Sequence, residues 1–399
     1  MKYIINGLDM IFSGIIMYLL YPFLPKEIWI ISERADQAQD NGIAFFEYLN
    51  KDQPQINSYY LLEKRCNKIE SVKKIGKVLI KGTLKHKIYF LKSIVVASTE
   101  KNIIEPWGSR VFYSKFAKMY PEKLKVFLQH GILDKDVSDV YGKNVSDIDL
   151  FVTSTDDEKK FVMQKFGYNE DEIANVGISR YDKLIRDKEK FNNENIILYM
   201  PTWRRYLFDL SNKEALYLED ARKLFLKSKY YNFIQAFLNN SELNHILKKN
   251  NFKLVFITHH GMNNLGDLFN VSSDNIEIFK SEEVKIVEFL IKAKVFITDY
   301  SSIHFDSAYL GKTNIYYQFD KEEFIKEHAG ESYFTYERDG FGTIVNKEKD
   351  LIKQIEKIIS SDNIKNDKYS SRINKFFEFK DGNNCFRLYN AIKSKLYNN

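Results

Sequence analysis

A chain of 399 residues exceeds what one hydrophobic core usually organises, so two domains are the starting expectation. With 44% apolar and 29% charged residues it is neither disordered nor polytopic, and its two cysteines, Cys66 and Cys385, have no metal-type or disulfide-framework spacing. The formal charge of +6 favours anionic partners such as phosphates, acidic lipid or a polyanion, while the dispersed basic residues and lack of a recognition module argue against nucleic acid.

The first informative segment is Met10 to Leu24 (MIFSGIIMYLLYPFL), preceded by Lys2 and followed by Lys26. This nearly uninterrupted apolar run is about 15 residues long, short of the ~20 that a spanning helix needs. Pro22, Pro25 and the strand-like IWIIS follow at once, unlike a cleavage site. Residues 1–26 are therefore expected to associate with a membrane as an interfacial or hairpin anchor, the alternatives being a buried helix or a true span. Each leaves the body cytoplasmic, peripheral or monotopic at the inner face of the membrane.

Beyond it, short β-branched or aromatic runs alternate with longer amphipathic stretches, the pattern of parallel sheets flanked by helices. Strands are expected at Ile28 to Ser32, Tyr59 to Leu62, Ser93 to Ala97, Lys125 to Gln129 and Leu150 to Thr153, and in a second series at Ile196 to Met200, Lys253 to Thr258, Asn275 to Phe279, Lys294 to Thr298 and Thr313 to Tyr317. The fold class is α/β, with Rossmann-like domains over 27–178 and 179–350. Helices over 351–399 are expected to pack back on the first domain.

In such sheets ligands bind beyond the carboxyl ends of the strands, where helix amino termini converge. The chain loads those points with reactive residues. His130-Gly131 follows KVFLQ, Pro201-Thr202-Trp203-Arg204-Arg205 follows IILYM, His259-His260 follows KLVFIT, and Asp299-Tyr300-Ser301-Ser302 follows KVFIT. A histidine titrating near neutrality is suited to take a proton from an attacking hydroxyl, which makes His130 a candidate base; the bland alternative for any one histidine is packing. Successive side chains leaving a strand point in opposite directions, so only one of His259 and His260 is expected to face a site, with His259 narrowly favoured. His86, His245, His304 and His328 lack this context and read as packing or surface residues.

The run DYSSIHFDSAYLG reads as a strand-to-helix turn in which Ser301 or Ser302 caps the helix or, with free backbone N–H groups, holds a diphosphate. Asp299 is a candidate to orient a histidine or a ribose hydroxyl, Asp306 lies in the first turns, and Gly311 is a plausible terminator. Arg204, and Arg180 in GISRYDKL, are candidate phosphate clamps through the guanidinium fork, with surface salt bridges as the bland alternative.

HG after a strand, GxxRxD as GISRYDKL, PTWR after a strand and DYSSxxFDxAxL as DYSSIHFDSAYL together resemble the CDP-glycerol glycerophosphotransferase family of teichoic acid and capsule polyol phosphate transferases. The early ISERADQAQDNGIAFFEYL is similar to that family's first strand and helix, so the likeness runs from about residue 28 to 345. It implies a GT-B fold with a cleft between two Rossmann-like domains, an acceptor domain first and a donor-nucleotide domain second. It also implies membrane association on the cytoplasmic side and a base role for His130. The family's second histidine stands in a stretch beginning with Arg, whereas this chain has ITHHGM, so the choice between His259 and His260 stays open.

The implied activity is transfer of glycerol phosphate, or a related polyol phosphate, from a CDP-activated donor to a membrane-linked, lipid-borne polymer acceptor, releasing CMP. His130 and His259 are the expected catalytic residues, and Arg180, Thr202, Arg204, Asp299, Ser301, Ser302 and Asp306 the expected donor-phosphate contacts. No cofactor and no metal are expected. A GT-B glycosyltransferase using a nucleotide-sugar, or a non-catalytic polyanion-binding scaffold, are the competing readings, and fold alone does not separate them.

Overall fold

The computed structural model describes residues 2–107, 117–204, 207, 218–262, 265–327, 332–360 and 367–397. They form two compact units, the first comprising Met1–Lys183 with Glu378–Asn399 and the second Leu184–Phe377.

The first unit holds β1 (Ile28–Ser32), β2 (Asn57–Leu62), β3 (Lys77–Ile80), β4 (Val95–Ser98), β5 (Leu124–Phe127), β6 (Leu150–Thr153) and β7 (Ile173–Asn175). All pair in parallel in the order β3-β2-β1-β4-β5-β6-β7. The IWIIS of β1 is buried along its whole length, as a strand covered on both faces must be. Its side chains alternate between two cores. Trp29 and Ile31 meet Phe45, Phe46 and Leu49 of helix α2 (Asn41–Asp52), and Ile28 and Ile30 meet Met10 and Met17 of helix α1 (Lys2–Leu20) together with Ile88 and Leu91. The final helix, Asn384–Tyr397, returns to this unit and buries Cys385, Leu388 and Ile392 in the Trp29 core. Its start is capped by the carboxylate of Asp182, which accepts the N–H groups of Asn384 and Cys385 at 2.9 and 2.7 Å.

The second unit holds β8 (Ile196–Tyr199), β9 (Lys253–Thr258), β10 (Ile276–Lys280), β11 (Val295–Thr298), β12 (Thr313–Tyr317) and β13 (Gly342–Val345), again all parallel, in the order β10-β9-β8-β11-β12-β13. Both sheets therefore grow first one way and then the other from their first strand. The reversal falls between β1 and β4 in one unit and between β8 and β11 in the other, which makes those two strand ends the natural ligand-binding points.

Three strands lie outside the sequence expectation. β3, β7 and β13 are short and close one edge of a sheet, where burial is partial and the apolar signal is weak. The division of the chain also differs. The boundary falls at 183/184 rather than 178/179, so Arg180 belongs to the first unit. Of the segment after 350, helices Glu348–Ile359 and Asp367–Phe376 stay with the second unit, where Leu351, Ile352 and Ile355 enter its core; only Glu378–Asn399 joins the first.

Candidate active site

In the first unit, β5 ends at Phe127 and the chain turns through Gln129, whose φ of 60° is left-handed and strained for a residue with a Cβ. The turn is held from three sides. Gln129 Nε2 donates to Val152 O and to Glu158 Oε1, and the same buried carboxylate accepts the N–H groups of Leu133 at 2.7 Å and Ser154 at 2.6 Å. Asn41, at the start of α2, donates from Nδ2 to Leu128 O and Gln129 O and accepts the Arg180 N–H on Oδ1. The loop preceding Asn41 is shaped by the buried Glu33, whose carboxylate accepts the N–H groups of Gln39, Asp40 and Ile43 at 2.8–2.9 Å.

This scaffold presents His130 half-exposed between two carboxylates. Its Nε2 lies 3.2 Å from Glu100 Oε1, just past β4, and its Nδ1 lies 3.8 Å from Asp40 Oδ2, at the end of the β1–α2 loop immediately before α2. These are the two loops that flank the sheet's point of reversal. Arg180 completes the cluster: its Nη1 donates to Asp40 Oδ1 at 2.8 Å and to the backbone carbonyl of His130. Gly131 leaves room for that guanidinium, since a Cβ there would stand 3.3 Å from Arg180 Nη2. Partial burial alone would lower the His130 pKa, but the carboxylates of Asp40 and Glu100 beside the ring outweigh it and push it up to about 9. Glu100 is correspondingly held below the usual carboxylate range, chiefly by its bond to His130.

In the second unit, the strand ends at the reversal point are knitted by Asp299 and Arg204. Asp299 Oδ1 accepts the N–H groups of Thr202 at 2.7 Å and Tyr300 at 2.6 Å, and its Oδ2 accepts Arg204 Nη2 at 2.8 Å. Arg204 also forks onto Asp320 at 2.6 and 2.8 Å and donates to Thr202 O at 2.6 Å. Both residues are 1% exposed. This corrects two expectations. Arg204 is no phosphate clamp in this arrangement, because its guanidinium is sealed among Asp299, Asp320 and the rings of Tyr230 and Phe324; and Asp299 directs its oxygens to the backbone and to Arg204 rather than to a histidine or a ligand.

The other expected residues at these strand ends are placed differently. Ser302 occupies the first position before the helix Ile303–Tyr309 but makes no side-chain cap, and Ser301 offers only its carbonyl, to the His304 N–H. The expected cap is thus absent. Gly311 does end this helix, with φ of 72°. Asp306 is buried within the helix. The Thr202 hydroxyl is buried with no hydrogen-bond partner among the described residues. His259 is partly buried beside Trp203, ring centroids 6.1 Å apart, and its Nδ1 accepts the Gly261 N–H at 3.1 Å, which leaves the ring proton of the neutral form on Nε2. The His260 side chain and all of His328 lie outside the described residues. His304 is a packing residue: it is buried among Phe305, Phe334 and Phe341 with Nδ1 against the Tyr316 hydroxyl at 3.0 Å.

Sequence reasoning missed Asp40, Glu100, Glu33 and Asp320. Glu100 stands just after a strand, the same signal that singled out His130, but ordinary acidic loop residues carry it too, and Asp40, at the start of α2, carries no such signal. Among the described residues no group of three or more His, Cys, Asp or Glu side chains is placed to hold a metal ion.

The family model of CDP-glycerol:poly(glycerophosphate) glycerophosphotransferases matches residues 15–394. The chain is 30% identical over 380 residues to the minor teichoic acid biosynthesis protein GgaB of Bacillus subtilis, covering 93% of this chain but 40% of that protein. It is 22% identical over 356 residues to the teichoic acid glycerol-phosphate primase of the same organism, covering 86% of this chain and 81% of the relative. Among solved structures, the wall teichoic acid polymerase TagF superposes with a TM-score of 0.66 at 14% identity over 98% of both chains. A UDP-GlcNAc 2-epimerase of Neisseria meningitidis superposes at 0.53 with 12% identity, over 92% of this chain and all of the other. These structural likenesses place the fold in the GT-B-like class of paired Rossmann-like units.

Proposed function

Since the chain belongs to the CDP-glycerol:poly(glycerophosphate) glycerophosphotransferase family, we propose that it transfers glycerol phosphate, or a related polyol phosphate, from a CDP-polyol to a hydroxyl of a lipid-linked polymer at the cytoplasmic face of the membrane. The chain spans 40% of the length of GgaB, so the reaction proposed is that of this segment alone. A TagF structure solved with CDPG supports the choice of donor.

The observation that carries the reading is the setting of His130, gripped by Asp40 and Glu100 at the carboxyl edge of the first sheet. In the proposed reaction the acceptor oxygen forms a bond to the β-phosphorus of the donor as the bond from that phosphorus to the CMP oxygen breaks. The acceptor proton passes to His130, and Glu100 and Asp40 stabilise the imidazolium so formed. The second unit supplies donor contacts from the Ser301 and Ser302 hydroxyls and His259, whereas the Thr202 hydroxyl is buried away from any donor. Arg180 positions His130 rather than gripping the donor. Most of the acceleration of phosphoryl-type transfer comes from positioning and charge stabilisation, with a base adding ~100-fold or more.

The test is release of CMP from CDP-glycerol with a lipid-linked or synthetic acceptor, comparing wild type with His130→Ala at matched folding. Acceptor-dependent release that falls at least ~100-fold supports both reaction and base. Release untouched by the substitution removes His130 from the chemistry, and a nucleoside diphosphate from a sugar donor in place of CMP replaces the reaction class.

A further inference from the structure

Asp40 stands immediately before helix α2 with extended backbone, φ −120° and ψ −152°. An aspartate in that position ordinarily turns its carboxylate back to accept an N–H of the first helical turn. The Asp40 side chain makes no such bond. Its Oδ1 accepts Arg180 Nη1 at 2.8 Å, and its Oδ2 lies 3.8 Å from His130 Nδ1. Asn41, the first residue of the helix, likewise commits its side chain to the His130 turn and to the Arg180 N–H. Neither residue at the helix start therefore spends its side chain on the helix's own N–H groups.

Glu33 takes that task from a distance. Ile43, the third residue of α2, is the usual donor to a capping side chain, and it donates at 2.8 Å to Oε1 of Glu33, ten residues earlier and just past β1. The same oxygen accepts the Asp40 N–H at 2.8 Å, and Oε2 accepts the Gln39 N–H at 2.9 Å. Gly42 leaves the space for this side chain, since a Cβ there would stand 2.8 Å from Glu33 Cγ. Glu33 is 2% exposed, whereas the Asp40 side chain is 24% exposed. Burial, then the Asp40 charge, push the Glu33 carboxyl up to about 7 against the pull of its three N–H partners. A buried carboxylate is thus a costlier cap than Asp40 would be in its place, and its effect is to leave the Asp40 carboxylate free.

We propose that Glu33 is a positioning residue for His130: by accepting the N–H groups at the start of α2, it keeps the Asp40 carboxylate off the helix and on Arg180 and His130. Without Glu33, the acceptor best placed for the Ile43 N–H is Asp40 itself, three residues before it. A carboxylate drawn to that N–H leaves the imidazole with Glu100 alone and releases Arg180 Nη1 from its side-chain partner. Glu33 touches neither His130 nor Arg180, so its effect on the base runs through Asp40. This role rests on the reading of His130 as the base, which CMP release tests; the measurements that follow read His130 and α2 without turnover.

The test is a double-mutant cycle of Glu33→Ala and Asp40→Ala in the full chain, read by NMR titration of isotope-labelled histidine, with the His130 signal assigned by its loss in His130→Gln. Glu33→Ala is expected to lower the His130 pKa by at least ~0.5 unit in the wild-type background and to lower it no further beside Asp40→Ala. Glu33→Gln keeps an oxygen for the Asp40 and Ile43 N–H groups and should restore most of the shift. Amide exchange at Ile43 supplies the second reading. Either single substitution should leave it within ~3-fold of wild type, because the other carboxylate caps the helix, and the double substitution should speed it at least ~10-fold. An unchanged His130 pKa in Glu33→Ala, or an equal further fall beside Asp40→Ala, overturns the proposal. So does an Ile43 amide that Asp40→Ala alone exposes, an outcome readable at this partly exposed position even if Glu33→Ala does not fold.

Discussion

Nε2 of His130 and Oε1 of Glu100 are 3.2 Å apart although the residues follow different strands, β5 and β4, while Asp40 Oδ2 stands 3.8 Å from Nδ1 as a charge partner beyond hydrogen-bond reach. The pair makes the imidazole both well aimed and hard to deprotonate.

The first prediction concerns pH. With the His130 pKa raised to about 9, only ~1% of the free enzyme carries a neutral imidazole at pH 7, so base catalysis by His130 requires kcat/KM to climb with pH until about 9. Glu100→Gln removes one of the charges that raise this pKa. Its ascending limb should move to lower pH while the high-pH plateau drops ~10-fold through loss of ring orientation, and Glu100→Asp should recover part of the plateau. A limb that stays in place separates Glu100 from the His130 proton. A rate that falls as pH rises through this range contradicts the base role itself.

A second prediction follows from the burial of Arg204. Truncation to Ala leaves the carboxylates of Asp299 and Asp320 buried together without their shared cation, which should destabilise the second unit by about 3–5 kcal/mol. Arg204→Lys keeps the charge but loses the fork and should recover only part of this. Urea unfolding measures the loss. A variant as stable as wild type but with weakened CDP-glycerol binding would restore Arg204 to the phosphate site.

Gly131→Ala tests the packing beside His130. The added methyl meets Arg180 Nη2 at 3.3 Å, and that guanidinium is already committed to Asp40 and the His130 carbonyl. Displacement of a few tenths of an ångström should lower kcat about 10-fold while changing stability by less than about 1 kcal/mol. Steady-state CMP release and a thermal melt of the same preparation check both halves.

His86 provides a pH effect remote from the site. It is fully buried, its Nδ1 accepts the Gly82 N–H and its Nε2–H donates to Ile104 O. Burial chiefly, helped by Lys81 and Lys87, lowers its pKa to about 4 from the ordinary 6.5. Between those values the unfolded chain binds the proton that the folded chain refuses, so stability is lost as pH falls from 6.5 towards 4, by up to about 3 kcal/mol. His86→Gln, whose amide offers one donor and one acceptor, should flatten this slope in urea melts at pH 7 and pH 4.5.

Much of this protein could be read without coordinates. The alternation of apolar strands with amphipathic stretches, and the placing of HG, PTWR and DYSS immediately after strands, depend on local periodicity and strand polarity, and these already specify parallel sheets and the sheet edge at which these motifs lie. Edge strands such as β3 and β13 escaped because half-covered backbone needs few apolar residues. Charge partners lay beyond sequence. An arginine after a strand looks the same whether it will grip a ligand or a pair of buried aspartates, and only folding brought Asp320 to Arg204 and carried Arg180 to Asp40 and His130. Periodicity is a property of neighbours along the chain and is written in the sequence; electrostatic pairing is a property of neighbours in space, fixed only when loops from strands far apart in sequence converge at one edge of a sheet.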